Sequence, residues 1–275
     1  MRTLLGGLTR NLYIFGTAGE GYAVNESQFD EIAAVFREET SQPAVSGMVG
    51  VISLSLATII SRIERARAMG FRDFQISLPS WGALSNREME VFFRETCGRF
   101  SDCRFLHYNL PRTKRVLTPE EYQTLAERHP NLVATKHGGD SMNQCLGLLA
   151  KAPKLQHFFT ETAFGFAAMS GECGLLVSVA SMNFTATKKY FAAGLARETA
   201  TLSKMQKELK GFTDELVALG LPDAHMDGAF DKVFSRMHDD LFPLRLLPPY
   251  EGLKEETYQK IVTLVREKYP AWFPH

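Results

Sequence analysis

The sequence lacks an excess of charge of either sign, since its 275 residues carry 31 Lys plus Arg and 31 Asp plus Glu. Without a net positive field it is a poor match for nucleic acid, which proteins hold mainly through Lys and Arg. Its apolar stretches stop well short of the roughly 18 to 20 residues that cross a bilayer, and no charged-then-apolar signal pattern opens the chain. We therefore expect a cytoplasmic protein with a small-molecule ligand and with neither nucleic acid nor a membrane as partner.

Cysteine is also scarce. The four cysteines, Cys97, Cys103, Cys145 and Cys173, show neither a Cys-x-x-Cys spacing nor a nearby histidine of the zinc type. We expect them to be buried thiols in a reducing compartment, and we predict no metal site. The chain does have 45% hydrophobic and 23% charged residues, a composition typical of a soluble globular protein with a sizeable core.

Short apolar runs alternate along the chain with amphipathic helical segments. The runs suited to buried parallel strands are Leu12–Phe15, Ala44–Val49, Phe74–Leu78, Arg104–Tyr108, Leu132–Lys136, Leu155–Phe159 and Leu175–Val179. Capping-box patterns at Asn25, Ser85, Thr118 and Ser141 mark the starts of intervening helices. This alternation, uninterrupted by a linker, predicts an α/β fold with a parallel sheet and favours a barrel over an open sheet.

Beyond about residue 184 the pattern becomes purely helical. One apolar stripe runs through Leu202, Met205, Leu209, Phe212, Leu216 and Leu219. We therefore predict two domains, a (β/α) barrel catalytic domain over residues 1–184 and a C-terminal helical extension over residues 185–275 that packs on the barrel.

A glycine-rich segment, Gly16-Thr17-Ala18-Gly19-Glu20-Gly21, directly follows the first strand of the pattern. Its glycines do not have the G-x-G-x-x-G spacing of a dinucleotide loop, and no helix begins at once. Barrel proteins carry their active sites at the carboxyl ends of the strands, where this segment lies. A backbone nest that binds a carboxylate is the more plausible reading.

Two further strand ends carry groups suited to chemistry. Lys136 shares the inward phase of its strand with Leu132 and Ala134, so burial is expected to favour its free amine, a nucleophile. Tyr108 shares its phase with Leu106 and precedes a turn-forming Asn-Leu-Pro. Taken singly, each has an ordinary interpretation, a solvated lysine and a packed tyrosine. His137 falls in the opposite phase and is expected to pack.

Together and in this order, these motifs resemble the dihydrodipicolinate synthase and N-acetylneuraminate lyase family. The resemblance rests on G-T-A-G-E-G followed by Gln28, on Y-N-L-P, and on a lysine 28 positions after the tyrosine. It implies that Lys136 forms a Schiff base with pyruvate or a related 2-keto acid. Tyr108 would be the general acid and base, and Thr17 would relay protons to it. The backbone N–H groups of Ala18 and Gly19 would hold the carboxylate, without a cofactor, in a homodimer or homotetramer.

The chain departs from the family pattern at several contacts with the second substrate. Trp81 aligns where synthases often place a relay tyrosine from a neighbouring subunit, and it is expected in the core, a pocket wall or a subunit contact. The arginine that follows Y-N-x-P aligns with Thr113, while Arg112 lies one place earlier. We expect Trp81, Arg112 and Thr113 to contact substrate. Ala18 replaces a second hydroxyl residue.

Family members begin with a strand and a helix before the strand that leads into the glycine-rich loop, whereas only Met1 to Asn11 precede that strand here. The resemblance therefore implies a (β/α)8 TIM barrel short of its first strand and helix, either truncated or with its open edge covered by a neighbouring segment. We expect an aldolase or dehydratase that acts on a 2-keto acid and on an aldehyde that the sequence does not name. The alternatives are a non-catalytic relative that binds a keto acid as a sensor or structural subunit, and an unrelated phosphate-binding barrel.

Overall fold

The computed structural model describes residues 1–139 and 141–274, so the last residue of the expected C-terminal extension, residue 275, lies outside it. Its centre is a curled parallel sheet of seven strands in chain order. The strands are β1 Asn11–Ile14, β2 Ser46–Gly50, β3 Asp73–Ile76, β4 Arg104–Asn109, β5 Leu132–His137, β6 Gln156–Phe159 and β7 Gly174–Leu175. The fold class expected from the strand and helix alternation is confirmed.

Helices surround this sheet and follow its strands. They are α1 Arg2–Gly7, α2 Glu26–Glu39, α3 Leu56–Ala68, α4 Asn86–Phe93, α5 Pro119–Arg128, α6 Met142–Lys151, α7 Glu161–Ser170, α8 Phe184–Leu195, α9 Thr199–Gly220, α10 Asp227–His238 and α11 Glu255–Lys268. The predicted capping boxes form at Asn25, Ser85 and Thr118, where both reciprocal hydrogen bonds are present. At Ser141 the side chain accepts from the Gln144 N–H.

The seventh strand is shorter than expected. The pattern predicts Leu175–Val179, but pairing ends at Leu175, and a 3₁₀ turn begins at Val179. The reason lies in the sheet, where β7 pairs with β6 alone among the described strands. A strand at the end of a sheet has no second neighbour to extend its ladder, and the chain turns away.

The edge strands β1 and β7 are not paired with each other among the described residues, and α1 and α8 lie beside them. Leu4 and Leu5 of α1 pack against the hydrophobic core. Gly7 lies so close to Phe184 of α8 that an added Cβ would come within 2.5 Å of the ring. The α1 and α8 segments therefore contact each other beside the open edges, and Leu4 and Leu12 also line the cavity there.

The C-terminal helices bring one element over the carboxyl ends of the strands. The stripe on α9 is buried as predicted, with Leu202, Leu209 and Phe212 almost fully covered. Helix α9 packs on α7, α8 and α11, while α10 packs on α9 and on the 3₁₀ turn after β7.

No helix in residues 1–139 and 141–274 is long and apolar enough to cross a membrane. The four cysteines are buried and unbridged, as expected.

Three histidines lie buried on the outward face of β4, β5 and β6. His157 donates through Nε2 to the Ala152 carbonyl at 3.0 Å and accepts at Nδ1 from the Thr135 hydroxyl at 2.6 Å. The same hydroxyl accepts from His137 Nε2 at 2.8 Å. His107 Nδ1 lies 2.7 Å from the Tyr122 hydroxyl of α5. His137 thus packs against the helix layer.

Burial lowers the pKa of all three imidazoles, and that of His107 falls to about 3. Each ring is therefore neutral in the folded protein, whereas in the unfolded chain it binds a proton near pH 6.5. Full stability is present above pH 6.5 and is lost as the pH falls toward the folded pKa. His107 is the sequence neighbour of Tyr108, and His137 is the sequence neighbour of Lys136. Strands β4 and β5 therefore carry both buried histidines and candidate site residues.

We expect stability to fall between pH 6.5 and pH 5, by about 2 kcal/mol for each histidine that stays neutral in the fold. Urea unfolding at the two pH values measures the loss. His137→Phe removes one of these buried imidazoles. The Nδ1 atom of His137 has no hydrogen-bond partner among the described residues. The variant should lose about 2 kcal/mol less than the parent. An identical loss in both proteins would show that His137 does not set the acid limit.

Candidate active site

Lys136 and Tyr108 lie side by side because they are register partners on the adjacent parallel strands β5 and β4. Partners in a parallel pair point to the same face of the sheet. The Lys136 Nζ lies 4.5 Å from the centroid of the Tyr108 ring, a distance at which the ring attracts an ammonium. Both side chains are half-buried at the carboxyl ends of their strands.

Burial lowers the pKa of Lys136, although the carboxylates of Asp231, Glu161 and Asp227 act in the opposite direction. Removal of the ammonium from water therefore outweighs the attraction of the nearby acids. No direct ion pair joins Lys136 to an acid among residues 1–139 and 141–274. Its amine is consequently more available at neutral pH than that of a surface lysine.

The Tyr108 hydroxyl stays protonated at neutral pH. Burial raises its pKa to about 12, the charges of Asp227 and Asp231 add to the rise, and a hydrogen bond with the Thr17 side chain opposes it. The bond to Thr17 joins the end of β4 to the loop after β1. The three residues expected to be catalytic, Lys136, Tyr108 and Thr17, are therefore neighbours at one end of the sheet.

The glycine-rich loop from Gly16 to Gly21 has a tightly folded backbone. Phe15, directly before the loop, and Glu20, within it, have φ angles of 61° and 53°, in the left-handed region that residues other than glycine seldom adopt. A Cβ on Gly21 would approach the Phe15 carbonyl oxygen to 2.3 Å, which no side chain tolerates. Within the described chain, no protein acceptor takes the N–H groups of Ala18 and Gly19. These donors are available for an anion.

Glu20 connects this loop to the C-terminal part of the chain through an ion pair and a hydrogen bond. Its carboxylate pairs with Lys232 of α10 at 2.6 Å and accepts a hydrogen bond from the Leu247 N–H at 2.5 Å. Arg112, in the turn after β4, forms a second link to α10 through two bonds to Asp227 at 2.8 and 2.9 Å. The helix is thus held over the strand ends at two points.

A cavity of about 610 Å³ opens above these strand ends and extends toward the gap between β1 and β7. Thr17, Ala18, Gly19 and Lys136 all line it. Asp231 of α10 lines it as well, so the helix forms part of the wall. No group of three or more His, Cys, Asp or Glu side chains among the described residues is placed to hold a metal ion.

The other expected substrate contacts lie away from this cavity wall. Trp81 is 82% exposed, and its carbonyl accepts from the Lys114 amine. Arg112 is committed to Asp227, and the buried Thr113 hydroxyl bonds the backbone of its own turn, at Leu110 and Arg115. Substrate contact at Trp81, Arg112 and Thr113 stays a prediction.

Two residues that line the cavity, Asp231 and Tyr13, were not predicted as site residues from the sequence. Asp231 lies on a plainly amphipathic helix, where only its (i, i+4) spacing from Asp227 hints at a shared polar face. Burial raises the pKa of Asp231 to about 7, and the hydrogen bond with Ser178 and the charge of Lys136 oppose this rise, while Glu161 adds to it. Tyr13 of β1 donates to Gln75 of β3 at 2.6 Å.

The comparisons with known proteins agree on one family. The family model described as the dihydrodipicolinate synthetase family matches residues 1–267. YagE, a prophage protein of the dihydrodipicolinic acid synthase family from E. coli K12, solved in complex with pyruvate, has a TM-score of 0.86 at 16% identity, over 97% of this chain and 89% of that one. Dihydrodipicolinate synthase from Aquifex aeolicus gives a TM-score of 0.83 at 13% identity, covering 99% and 90% of the two chains.

CdNal from Clostridium difficile, solved in complex with mannosamine, gives a TM-score of 0.80 at 14% identity, covering 93% and 86%. A search of curated proteins finds no match. Identities this low show the fold alone, and that fold is the (β/α) barrel with C-terminal helices. Because the family model covers nearly the whole sequence, the chain belongs to the dihydrodipicolinate synthetase family.

Proposed function

We propose that this protein is a class I lyase that binds pyruvate or a related 2-keto acid as a Schiff base on Lys136. One observation carries the proposal: the Lys136 amine faces the cavity beside Tyr108, with its pKa lowered by burial. A lowered pKa leaves a larger fraction of the amine unprotonated at a given pH, and the unprotonated amine is the form that attacks a carbonyl carbon. Family membership and the pyruvate bound to YagE support the same chemistry.

Each site residue has a distinct role in the proposed reaction. The N–H groups of Ala18 and Gly19 hold the carboxylate of the keto acid. Lys136 adds to its carbonyl carbon, and Tyr108 protonates the departing hydroxyl so that water leaves and the imine forms. Tyr108, left as a phenolate, takes a proton from the next carbon to give an enamine. The electron pair of the enamine bonds an aldehyde carbon while the aldehyde oxygen takes that proton back from Tyr108, and water then hydrolyses the imine to release the product and Lys136. In the cleavage direction the same steps run in reverse, and Thr17 passes protons to and from Tyr108.

The test of this proposal is reductive trapping. Incubation with pyruvate and sodium borohydride should raise the mass of the protein by one pyruvic acid less one oxygen atom, and peptide mapping should locate the adduct at Lys136. Because burial lowers the pKa of this amine, the initial rate of trapping should reach its plateau below the ordinary lysine value of 10.5. Absence of an adduct at every pH would reject the lyase.

Turnover separates the two readings that share this first step. A lyase consumes pyruvate and an aldehyde together, or releases them from a longer keto acid. A non-catalytic relative forms the imine and then returns pyruvate unchanged with every aldehyde offered. Trapping without turnover would therefore favour a sensor or structural subunit over an enzyme.

A further inference from the structure

The addition of the Lys136 amine to a keto carbon leaves one proton transfer without an assigned carrier. When the C–N bond forms, the electron pair of the C=O bond moves to oxygen, so the nitrogen holds one proton too many and the oxygen one too few. The Tyr108 hydroxyl supplies the later proton with which the oxygen leaves as water. A second group that both takes and gives a proton is therefore required beside Lys136.

Asp231 is placed to serve this step. It lies on α10 and lines the same cavity as Lys136, so it borders the space in which the amine meets a keto acid. Its charge raises the pKa of Lys136 more than the charge of Glu161 or of Asp227 does. Within the described chain no ion pair joins Asp231 to Lys136, which leaves room between them for a substrate or one water to pass a proton.

The surroundings of Asp231 hold its carboxyl in position. The side chain of Ser178, which follows β7, forms a hydrogen bond with it. Ion pairs made by two neighbouring residues of α10, Asp227 and Lys232, hold the helix to the strand-end loops. A proton carrier fixed in this way acts without the cost of ordering a mobile side chain.

The environment of this carboxyl suits it to carry a proton at neutral pH. Burial raises the pKa of Asp231 to about 7, the charge of Lys136 on β5 opposes the rise, and the charges of Glu161 on α7 and Asp227 on α10 add to it. Among the described residues, the cavity lining contains two further charged groups, Lys188 and Lys232. A carboxyl with this pKa takes and releases protons near neutrality more readily than the Tyr108 phenol, whose pKa is about 12.

We propose that Asp231 is a second catalytic residue of this site, which carries a proton from the nitrogen of Lys136 to the oxygen of the keto acid during imine formation. Its carboxylate accepts the proton once the C–N bond has formed, and the electron pair of the N–H bond stays on nitrogen. The protonated carboxyl then donates that proton to the oxygen, which becomes the hydroxyl that Tyr108 protonates. The proposal rests on the proposed function, because it requires Lys136 to be the nucleophile.

Asp231→Asn tests this role, because the amide keeps the size of the side chain and an acceptor for Ser178 but does not carry a proton. With pyruvate and borohydride in excess, the initial rate of trapping at neutral pH should fall about 10²- to 10⁴-fold, the usual contribution of one positioned acid or base. Adduct should still accumulate at Lys136 on long incubation, and thermal unfolding should show an intact cooperative transition.

A role in charge alone predicts a change of the opposite sign. Loss of the Asp231 carboxylate removes a charge that raises the pKa of Lys136, so more of the amine is free at neutral pH and trapping becomes faster. A trapping rate in Asp231→Asn equal to or higher than that of the parent would therefore overturn the proposal.

Glu161→Gln separates the loss of charge from the loss of proton transfer. Glu161 also raises the pKa of Lys136, but it lies on α7 and is absent from the cavity lining among the described residues. This variant should trap pyruvate faster than the parent at neutral pH. A fall of the same size in Glu161→Gln and Asp231→Asn would assign the effect to lost charge and reject Asp231 as the carrier. Asp240→Asn, at an exposed position just after α10, should match the parent.

The pH profile of trapping provides a readout that a structural role would not change. In the parent both the Asp231 carboxylate and the free Lys136 amine are required, so the rate should rise steeply with pH up to about pH 7 and less steeply above it. Asp231→Asn should lose this break and keep the shallower rise throughout. A break near pH 7 that persists in the variant would belong to another group and contradict the proposal.

The two proposals fail in distinguishable ways. If the parent gives no adduct at any pH, the Schiff base is rejected and the role of Asp231 is rejected with it. If the parent gives an adduct on Lys136 and Asp231→Asn gives it at least as fast, the lyase stands and only the role of Asp231 is rejected.

Discussion

Lys136→Arg is expected to abolish the borohydride-trapped pyruvate adduct while the protein still folds. Arginine keeps the positive charge and the aromatic contact with Tyr108, and the cavity in front of residue 136 has room for the longer side chain. Its guanidinium stays protonated and does not attack a carbonyl, so only the nucleophile is lost. Mass measurement after reduction should show unmodified protein, and thermal unfolding should show an intact cooperative transition.

Lys188→Arg is the matched control, since Lys188 also lines the cavity but lies on α8 at its exposed side. This variant should give the same adduct as the parent, mapped to Lys136. Labelling of Lys136→Arg at Lys188 or at Lys114 would assign the nucleophile to another residue and contradict the mechanism.

Burial and nearby charge act on the pKa of Lys136 in opposite directions. Asp231 and Glu161 stabilise the ammonium and would, acting alone, make the amine a poorer nucleophile. Burial is the larger effect, and the pKa falls. Burial, with a smaller contribution from the charge of Glu161, raises the pKa of Asp231 to about 7, so this carboxyl is only partly ionised at neutral pH. In the proposed mechanism, the lowered pKa favours the free amine that attacks the keto carbon, and the nearby carboxylates would favour its reprotonation.

Much of the strand layer could be predicted from the sequence because strand alternation is a local property. The period of two placed Lys136 inward and His137 outward, and the structure has this arrangement. The spacing of Tyr108 and Lys136 corresponds to one strand-helix-strand unit, so the two residues become register partners. Capping residues likewise act within one turn of helix, which is why Asn25, Ser85 and Thr118 marked the helix starts.

The rest of the site depends on how distant elements dock, which no local pattern records. The amphipathic stripe of α10 indicates which face is buried but not that Asp231 enters a cavity beside Lys136. The partner of Tyr13 is Gln75, two strands away. Exposure of Trp81 is decided by the path of its loop, and an indole is equally common in a core and at a surface contact.

Tyr108→Phe is expected to slow imine formation by about 10²- to 10⁴-fold, the usual contribution of one positioned acid or base, without preventing it. The ring remains, so its contact with the Lys136 amine is kept and the nucleophile is not displaced. Only the hydroxyl is lost, and with a pKa of about 12 that hydroxyl is protonated at neutral pH and suited to protonate the departing oxygen. Adduct should still accumulate at Lys136 on long incubation with pyruvate and borohydride.

Two companion variants define where this effect originates. Thr17→Val removes the hydrogen-bond partner of Tyr108 and should produce a smaller reduction in rate, because the Tyr108 hydroxyl remains. Tyr22→Phe removes a hydroxyl that has no hydrogen-bond partner among the described residues and lies outside the cavity lining, so its trapping rate should match the parent's. A time course of adduct mass for each variant measures these rates. A Tyr108→Phe protein that traps pyruvate as fast as the parent would remove Tyr108 from the proton-transfer step and assign that step to another acid beside Lys136, with Asp231 the nearest candidate by charge.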